Sequence, residues 1–252
     1  MSENGTVFRR IPLTGAKNAR DLGGYNTEDG FITNWKKFIR SDSVGGFVES
    51  DIFLLKQYGL TTIIDLRSEI EIKREPVNRE ILSDVTYIHC PLFVEESIIQ
   101  MPLQVIDFKE IYIMIAEKSK ERIANVMKIL AESDGVCLFN CTAGKDRTGI
   151  IAALLLSLVH VYHDDIVADY QVTYTFVRTV FAKIDAIASD VFQQIANSNM
   201  ENIEAFLAHI ANKYENTENY LKNAGVSDKA IDQLKEKFLS KITYSMNSKS
   251  NG

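Results

Sequence analysis

The chain has 252 residues, of which 46% are hydrophobic and only four are proline, so it can bury a full core as a single domain. Its 28 basic and 34 acidic residues leave a formal net charge of −6, which argues against a nucleic-acid partner held by bulk electrostatics. Three cysteines are too few for a disulfide scaffold, and they favour a reducing compartment.

The N-terminal segment and the apolar runs bear on localisation. Residues 1–14 lack the apolar core of a signal peptide. The longest apolar run, residues 150–159, is too short to cross a bilayer and suits a buried helix. We therefore expect a cytoplasmic protein without a transmembrane segment. A protein from which a secretion signal has been removed is the alternative.

Strands and helices alternate along the first half of the chain. Apolar runs between turn and capping residues predict a hairpin at Asp29-Gly30, a strand near residues 37–40, a helix over residues 51–58 between Ser50 and Gly59, and strands over residues 61–66 and 86–90. This alternation is typical of an α/β fold.

The second half is mainly helical. The patterns predict a helical stretch over residues 108–133 interrupted near Lys118-Ser119-Lys120, a buried strand over residues 136–139, a helix over residues 148–161, and helices from Asp164 to Leu239, the last capped by Ser227. Residues 246–252 are small and polar, which predicts a loose tail. The helical region is larger than a small α/β core needs. Core-building is the favoured interpretation, and a lid over a pocket is the other.

The most informative segment is residues 140–149, which reads Asn-Cys-Thr-Ala-Gly-Lys-Asp-Arg-Thr-Gly. Cys141 stands six residues before Arg147, between a predicted strand and a predicted helix. A loop of this length can direct its backbone N–H groups around a phosphate-sized hole, and the helix N-terminus also favours an anion there. Neither Cys90 nor Cys137 has an arginine at this distance. The signal therefore belongs to Cys141 alone.

This loop predicts nucleophilic chemistry on phosphate without a metal or other cofactor. A cysteine that faces several amides, a helix N-terminus and an arginine is expected to ionise readily. It could then attack phosphorus and form a phosphocysteine that water hydrolyses. Arg147 and the loop amides would hold the equatorial oxygens, and Thr148 could donate its hydroxyl to the sulfur and ease its departure. The expected phosphate-binding residues are Cys141, Thr142, Ala143, Gly144, Lys145, Asp146 and Arg147.

The Cys-x5-Arg-Thr-Gly pattern resembles the phosphate loop of the cysteine-dependent protein tyrosine phosphatase superfamily. Its full form, Cys-Thr-Ala-Gly-Lys-Asp-Arg-Thr-Gly, is similar to an atypical bacterial branch whose members act on phosphotyrosine, phosphoserine/threonine and phosphoinositides. Three further stretches carry the resemblance: Asn-Ala-Arg-Asp-Leu-Gly-Gly-Tyr at residues 18–25, Ile-Ile-Asp-Leu-Arg-Ser at residues 63–68, and Glu75-Pro76.

The resemblance implies a fold, a substrate and a product. The fold would be a protein tyrosine phosphatase-like α/β domain, with a central, mostly parallel sheet flanked by helices and an extended C-terminal helical region. Its catalytic core would cover about residues 15–245 of a single domain that spans residues 1–252. The substrate would be a phosphorylated protein or a phosphoinositide, and the product would be inorganic phosphate.

One departure from the superfamily leaves alternatives open. Histidine usually precedes the cysteine, but this chain has Asn140, whose amide can order the loop and never carries a positive charge. We favour an active phosphatase because Cys141, Arg147 and Thr148 are present. The alternative is a weak or inactive phosphate-binding module. A sulfurtransferase or arsenate reductase has less support, because no second cysteine has an obvious resolving role.

The general acid is also open at this point. A carboxylic acid must lie within hydrogen-bond reach of the leaving-group oxygen. The resemblance favours Asp65, at the end of a predicted strand, and Asp146 is the second candidate. Asp21 is more typical of a scaffold residue. Glu95 and Glu96 follow the strand of Cys90, where small phosphatases keep their acid.

Lys145 bears on the substrate. Its charge in the loop suits a multiply phosphorylated inositol head group, and the alternative is a salt bridge to a neighbouring acid. His160 and His163 lie three residues apart, but no acid or cysteine is spaced to complete a zinc site, so we expect no metal.

Overall fold

The computed structural model describes residues 6–92, 107–185 and 198–241. Seven strands lie in this part of the chain: β1 Arg20–Asp21, β2 Phe31–Thr33, β3 Phe38–Ser41, β4 Leu60–Asp65, β5 Thr86–His89, β6 Val136–Asn140 and β7 Leu239–Lys241. Five of them form a central sheet in the order β1-β3-β6-β4-β5, and β2 pairs with β7 in a separate ribbon.

Nine α-helices surround the central sheet in the described residues. They are α1 Glu49–Tyr58, α2 Glu69–Arg74, α3 Phe108–Lys118, α4 Lys120–Glu132, α5 Asp146–Leu158, α6 His163–Asp185, α7 Met200–Tyr214, α8 Thr217–Asn223 and α9 Asp228–Phe238. No helix in these ranges is both long and apolar enough to span a membrane.

The sheet separates two hydrophobic clusters. On one face, Ile63 and Leu138 belong to a cluster that includes Leu55 of α1. On the other face, Ile64 and Phe139 belong to a larger cluster built with α3 to α9. Successive strand residues point to opposite faces, so these neighbours contribute to different clusters. The prediction of an α/β fold with a mostly parallel sheet flanked by helices is confirmed.

The parallel strands end at one edge of the sheet. Strands β3, β6, β4 and β5 run parallel, and β1 is antiparallel to β3. Ser41 at the end of β3 and Asp65 at the end of β4 both lie opposite Asn140 at the end of β6. The chain enters the segment at Cys141 directly from this edge. Helix α5, which follows that segment, is buried along almost its whole length and fixes the segment against the core.

Several predicted boundaries are confirmed. The helical stretch over residues 108–133 breaks at Ser119, between α3 and α4. Gly59 ends α1 with a φ of +106°, and Ser227 caps α9 by accepting from the backbone N–H of Ala230. The turn at Gly30 has the positive φ that a tight turn favours, at +76°.

Other boundaries were wrong. Helix α1 begins earlier than predicted, because Asp51 rather than Ser50 accepts from the backbone N–H at the start, that of Val48 at 3.1 Å. The helix after the loop covers Asp146–Leu158 and not residues 148–161, since the chain turns at His160 with a φ of +56°. Strand β7 was missed, and the predicted tail at residues 246–252 lies outside the described residues.

Candidate active site

The segment between β6 and α5 forms a tight loop with Cys141 at its start. Cys141 is 2% exposed, so its side chain is almost closed to solvent. Gly144 adopts a φ of +66°, and a Cβ atom there would lie 2.5 Å from the carbonyl oxygen of Ser41. Only glycine fits this close approach of the loop to the end of β3. The glycine of the sequence motif therefore has a steric reason.

Three consecutive carbonyls of this loop accept hydrogen bonds from the structure behind it. Asn18 Nδ2 donates to the carbonyls of Ala143 and Gly144 at 2.9 and 3.1 Å. Arg40 Nη2 also donates to Gly144, at 2.7 Å, and the Thr142 carbonyl accepts a backbone N–H at 3.1 Å. The N–H of a planar peptide points opposite to its carbonyl. The next three N–H groups therefore point away from these scaffold groups.

A buried charge cluster supports these contacts. Asp169 of α6 accepts from Arg20 Nε at 2.8 Å and from Arg40 Nη1 at 2.5 Å. Burial would raise the pKa of Asp169, but the two guanidinium groups hold it well below its usual range. Burial and the charge of Arg40 lower the pKa of Arg20 to about 10. Arg20 in turn binds the Asn18 side chain at 2.5 Å, so the Asn-Ala-Arg stretch forms the layer behind the loop.

Arg147, in the first turn of α5, is clamped by a residue that the sequence analysis missed. Glu71 of α2 accepts from Arg147 Nη1 at 2.6 Å and from Nη2 at 2.5 Å. Burial would lower the pKa of Arg147, but the hydrogen bonds to Glu71 and the nearby charges of Cys141 and Glu71 raise it above its usual value. Glu71 also accepts from the hydroxyl of Thr142.

Glu71 has a second role at the start of its own helix. Its Oε2 accepts the backbone N–H of Ser68 at 2.8 Å, while Ser68 Oγ accepts the N–H of Glu71 at 3.3 Å. Although burial would raise the pKa of Glu71, Arg147 lowers it to about 2. The pattern Ser68-x-x-Glu71 in the sequence predicts the reciprocal cap. Nothing in the sequence indicates that Glu71 lies beside Arg147.

The position of Asp65 does not fit the predicted general acid. Its side chain is fully buried and accepts from Arg67 Nη2 at 2.8 Å and from Tyr87 Oη at 2.6 Å. Asn140 Nδ2 donates to the same carboxylate at 3.3 Å. A fully buried carboxylate that already accepts from several side chains has no open path to a leaving group. Asp65 therefore contacts the loop after β4 through Arg67, and this position favours a different acid from the one predicted.

Asn140 lies entirely within the protein. Its Nδ2 binds Asp65, and its Oδ1 has no hydrogen-bond partner among the described residues. It joins the end of β6 to the Asp65–Arg67 pair. This position corresponds to the prediction of an amide that orders the loop.

The carboxylate of Asp146 has an accessible position. Its side chain is 35% exposed, and its Oδ1 accepts from Tyr112 Oη at 2.5 Å. Lys145 Nζ lies 3.3 Å from the same oxygen. Lys145 is itself buried, with its ammonium 5.1 Å from the ring centroid of Phe108. The structure therefore shows the salt bridge to a neighbouring acid that was one of the two predictions for Lys145.

The remaining predicted site residues make no contact in the described part of the structure that indicates a catalytic role. Thr148 Oγ1 is buried and makes no hydrogen bond with any described residue, so the predicted bond to the sulfur is not formed here. Asp21 accepts from the hydroxyl of Tyr58 at 2.7 Å and from the backbone N–H of Lys36 at 2.8 Å, as expected of a scaffold residue. Glu95 and Glu96 lie outside the described residues.

The other two cysteines are buried free thiols. Asn125 Nδ2 donates to Cys90 Sγ at 3.2 Å. Burial raises the pKa of Cys90 and of Cys137. Neither has the environment of a readily ionised thiol, so neither is suited to resolve a bond to Cys141.

A buried cysteine, a loop whose carbonyls bind the scaffold and an arginine fixed by a carboxylate are what is expected of a phosphate-loop enzyme on an α/β fold. The sequence profile of the tyrosine phosphatase family matches residues 11–240. The chain belongs to this family and is a phosphatase, as the resemblance implied.

Relatives support the family at the level of sequence. A tyrosine-protein phosphatase of Nostoc commune is 31% identical over 213 residues, which cover 79% of this chain and 72% of the relative. A protein of Cupriavidus necator, provisionally named as a tyrosine-protein phosphatase, is 28% identical over 238 residues, 88% of this chain and 85% of its own length. A crystal structure of P. aeruginosa TpbA in complex with pTyr matches with a TM-score of 0.36 and 13% identity, covering 82% of this chain and 88% of that one.

Proposed function

We propose that this phosphatase hydrolyses phosphotyrosine, and in addition phosphoserine/threonine or phosphoinositides, through a phosphocysteine on Cys141. The observation that carries the proposal is the orientation of the loop. Scaffold side chains hold the carbonyls of Ala143 and Gly144, which leaves the amides for phosphate. Amides fixed in advance stabilise the charge of a transition state without reorganisation.

In the proposed first step, Cys141 Sγ attacks phosphorus and the bond from phosphorus to the leaving-group oxygen breaks. Arg147 holds Glu71 through its two Nη atoms, so its Nε and one outer N–H can hold two phosphate oxygens side-on. The leaving oxygen takes a proton from an acid. In the second step water attacks the phosphocysteine, the sulfur–phosphorus bond breaks, and inorganic phosphate leaves. Each step uses groups of the chain and water, so the proposed reaction is independent of metal.

We assign the acid to Asp146. It is part of the loop and lies next to Arg147, and its charge acts on that guanidinium. Its side chain is exposed by about a third, whereas that of Asp65 is fully buried. After the first step the Asp146 carboxylate can take a proton from the attacking water, so the same residue serves as acid and then as base.

The burial of Cys141 favours an aryl substrate. Because Cys141 is only 2% exposed, a phosphate carried on a projecting tyrosine ring reaches it more easily than one on a short serine arm. Lys145 forms an ion pair with Asp146, so its charge reaches a substrate phosphate as part of that pair.

The buried free thiols are consistent with a reducing compartment, and we place the activity in the cytoplasm.

The test of the proposal is hydrolysis of an aryl phosphate in the presence of a metal chelator, with Cys141→Ser as the control. We expect metal-independent turnover by the wild type and none by the variant, and a covalent phosphoprotein in acid-quenched wild type. Phosphate binding without turnover would overturn the proposal in favour of a binding module. A panel of phosphotyrosine peptides, phosphoserine peptides and phosphoinositides then ranks the substrate classes. A lack of preference for phosphotyrosine peptides would contradict the aryl preference inferred from the burial of Cys141.

A further inference from the structure

Two buried tyrosines form a chain of hydroxyl groups that ends on Asp146. Tyr112 of α3 and Tyr170 of α6 are both within 1% of complete burial. The hydroxyl of Tyr112 lies 2.5 Å from Asp146 Oδ1 and 2.7 Å from the hydroxyl of Tyr170. Their rings meet edge to face, with centroids 6.1 Å apart. None of the chemistry proposed above uses these two residues.

The direction of the hydrogen bonds follows from the number of protons. Burial, reinforced by the charge of Asp146, raises the pKa of both hydroxyl groups, so each keeps its single proton at any working pH. A carboxylate oxygen can only accept, so Tyr112 donates to Asp146 Oδ1. Tyr112 then has no proton for its neighbour, and Tyr170 donates to it. The chain runs from Tyr170 through Tyr112 to Asp146.

This direction distinguishes the two oxygens of Asp146. Oδ1 faces the Tyr112 hydroxyl and lies 3.3 Å from the ammonium of Lys145. A protonated carboxyl group that accepts at Oδ1 must carry its own proton on Oδ2. Among the described residues Oδ2 has no hydrogen bond of its own, so it is available to the leaving group.

We propose that Tyr112, supported by Tyr170, is a positioning residue that keeps the transferable proton of Asp146 on Oδ2 and turns that oxygen towards the leaving group. The inference rests on the proposed role of Asp146 as the acid. In the first step the proton passes from Oδ2 to the leaving oxygen as its bond to phosphorus breaks. The hydrogen bond from the Tyr112 hydroxyl to Oδ1 then stabilises the new carboxylate charge.

The proposal predicts that removing the Tyr112 hydroxyl costs most when the acid is needed most. With an alkyl phosphate we expect Tyr112→Phe to lower kcat by about 10-fold to 100-fold, the usual value of one hydrogen bond to a charged group. With an activated aryl phosphate, whose leaving group needs no proton, we expect a change within about twofold. Equal losses on both substrates would overturn the proposal.

Tyr220→Phe is the matched control. Tyr220 is as deeply buried as Tyr112, and its hydroxyl donates to the Ala116 carbonyl on the same helix, α3, at 2.8 Å. The Tyr220→Phe variant therefore loses a buried hydroxyl next to α3 but leaves the contacts of Asp146 unchanged. We expect its effect on the two substrates to be equal. A preference for the aryl substrate as large as that of Tyr112→Phe would assign the effect to the packing of α3 and overturn the proposal.

A double-mutant cycle with Asp146→Asn completes the test. Because Tyr112 acts through Asp146, we expect Tyr112→Phe to add no leaving-group dependence once Asp146 is changed. Additive losses would overturn the inference. If Tyr112→Phe does not fold, Tyr170→Phe takes its place, with a smaller loss of the same kind expected and substrate-independent activity as the contradicting result. Turnover that survives Cys141→Ser would instead refute the proposed function itself.

Discussion

The guanidinium of Arg147 has two usable edges, and Glu71 takes only one of them. The end formed by Nη1 and Nη2 binds the carboxylate at 2.6 and 2.5 Å. On the side formed by Nε and Nη2, the one further contact among the described residues is a long donation from Nη2 to Thr142 Oγ1 at 3.5 Å, which two phosphate oxygens can replace. Glu71 also caps α2 through Ser68. The same carboxylate therefore orients Arg147 and fixes the start of its own helix, α2. Glu71 is therefore expected to matter to catalysis without touching the substrate.

Glu71→Gln tests this role. Glutamine can still accept the N–H of Ser68, so α2 keeps its cap, but it loses the charge that orients Arg147. We expect kcat/KM for an aryl phosphate to fall about tenfold, with a loss of about 2–3 kcal/mol in the free energy of unfolding at pH 7. Glu69→Gln is the control, since Glu69 lies on the same helix with its side chain 76% exposed. Similar losses in both variants would show that Glu71 has no special relation to Arg147.

Substrates with different leaving groups distinguish the roles of Asp146 and Asp65. We expect Asp146→Asn to lower the rate on an alkyl phosphate by about 10²–10⁴ and to leave an activated aryl phosphate nearly unaffected. Asp65→Asn leaves the buried Arg67 with only the half-exposed carboxylate of Glu75 at 3.4 Å, so we expect a loss of about 3–5 kcal/mol in the free energy of unfolding. Rates on both substrates and denaturant unfolding are the measurements. The reverse pattern would restore Asp65 as the acid.

At the scale of elements, the loop is positioned by the structure on both sides of it. The ends of β3 and β6 bring Ser41 and Asn140 together, and the buried helix α5 fixes its other end. Between them the loop passes so close to β3 that Gly144 has no room for a side chain. The shape of the anion site is therefore a consequence of strand register and helix burial.

Gly144→Ala should deform the loop. A positive φ alone costs alanine about 1–2 kcal/mol, and the Cβ would in addition lie 2.5 Å from the Ser41 carbonyl. Gly30→Ala is the control, since Gly30 has a φ of +76° with nothing within 4 Å. We expect at least tenfold lower kcat/KM for the first variant and unchanged kinetics for the second. Full activity of Gly144→Ala would mean that the loop tolerates a shift at this point.

Local elements were predictable and distant partners were not. Strands β3 to β6, the break at Ser119 and the loop after β6 follow from apolar spacing and capping patterns a few residues long. Strand β7 was missed because it is a strand only by pairing with β2, about two hundred residues earlier: Phe31 lies opposite Lys241. The start of α1 depends on the Asp51 carboxylate, which accepts the backbone N–H of Val48. The sequence pattern allows the neighbouring Ser50 as a capping residue equally well.

At the scale of the whole molecule, charge pairs join parts that are far apart in the chain. Asp169 of α6 binds Arg20 of β1 and Arg40 of β3, and thereby connects the C-terminal helices to the back of the loop. The sequence marked the Asn-Ala-Arg stretch but contained no local sign of Asp169. The burial of Asp65 was not predictable for the same reason, because it depends on Arg67 and Tyr87 closing around it.

These buried pairs make stability depend on acid pH. Arg147 lowers the pKa of Glu71 from 4.5 to about 2, and Arg20 and Arg40 lower that of Asp169 further below its usual 3.8. A lowered folded-state pKa means that the unfolded chain binds protons first as the pH falls. The stabilisation is therefore complete above about pH 4.5 and is lost as the pH falls through the folded-state values, near pH 2 for Glu71.

The corresponding measurement is the free energy of unfolding between pH 7 and pH 2. For the wild type we expect a plateau down to about pH 4.5 and a steep decline below it. Glu71→Gln removes one of the titrating groups, so its decline should be shallower by up to one bound proton, about 1.4 kcal/mol per pH unit. Glu69→Gln, changed on the exposed side of the same helix, should keep the wild-type slope. Parallel curves for wild type and Glu71→Gln would mean that the Arg147–Glu71 pair contributes nothing to the acid sensitivity of the fold.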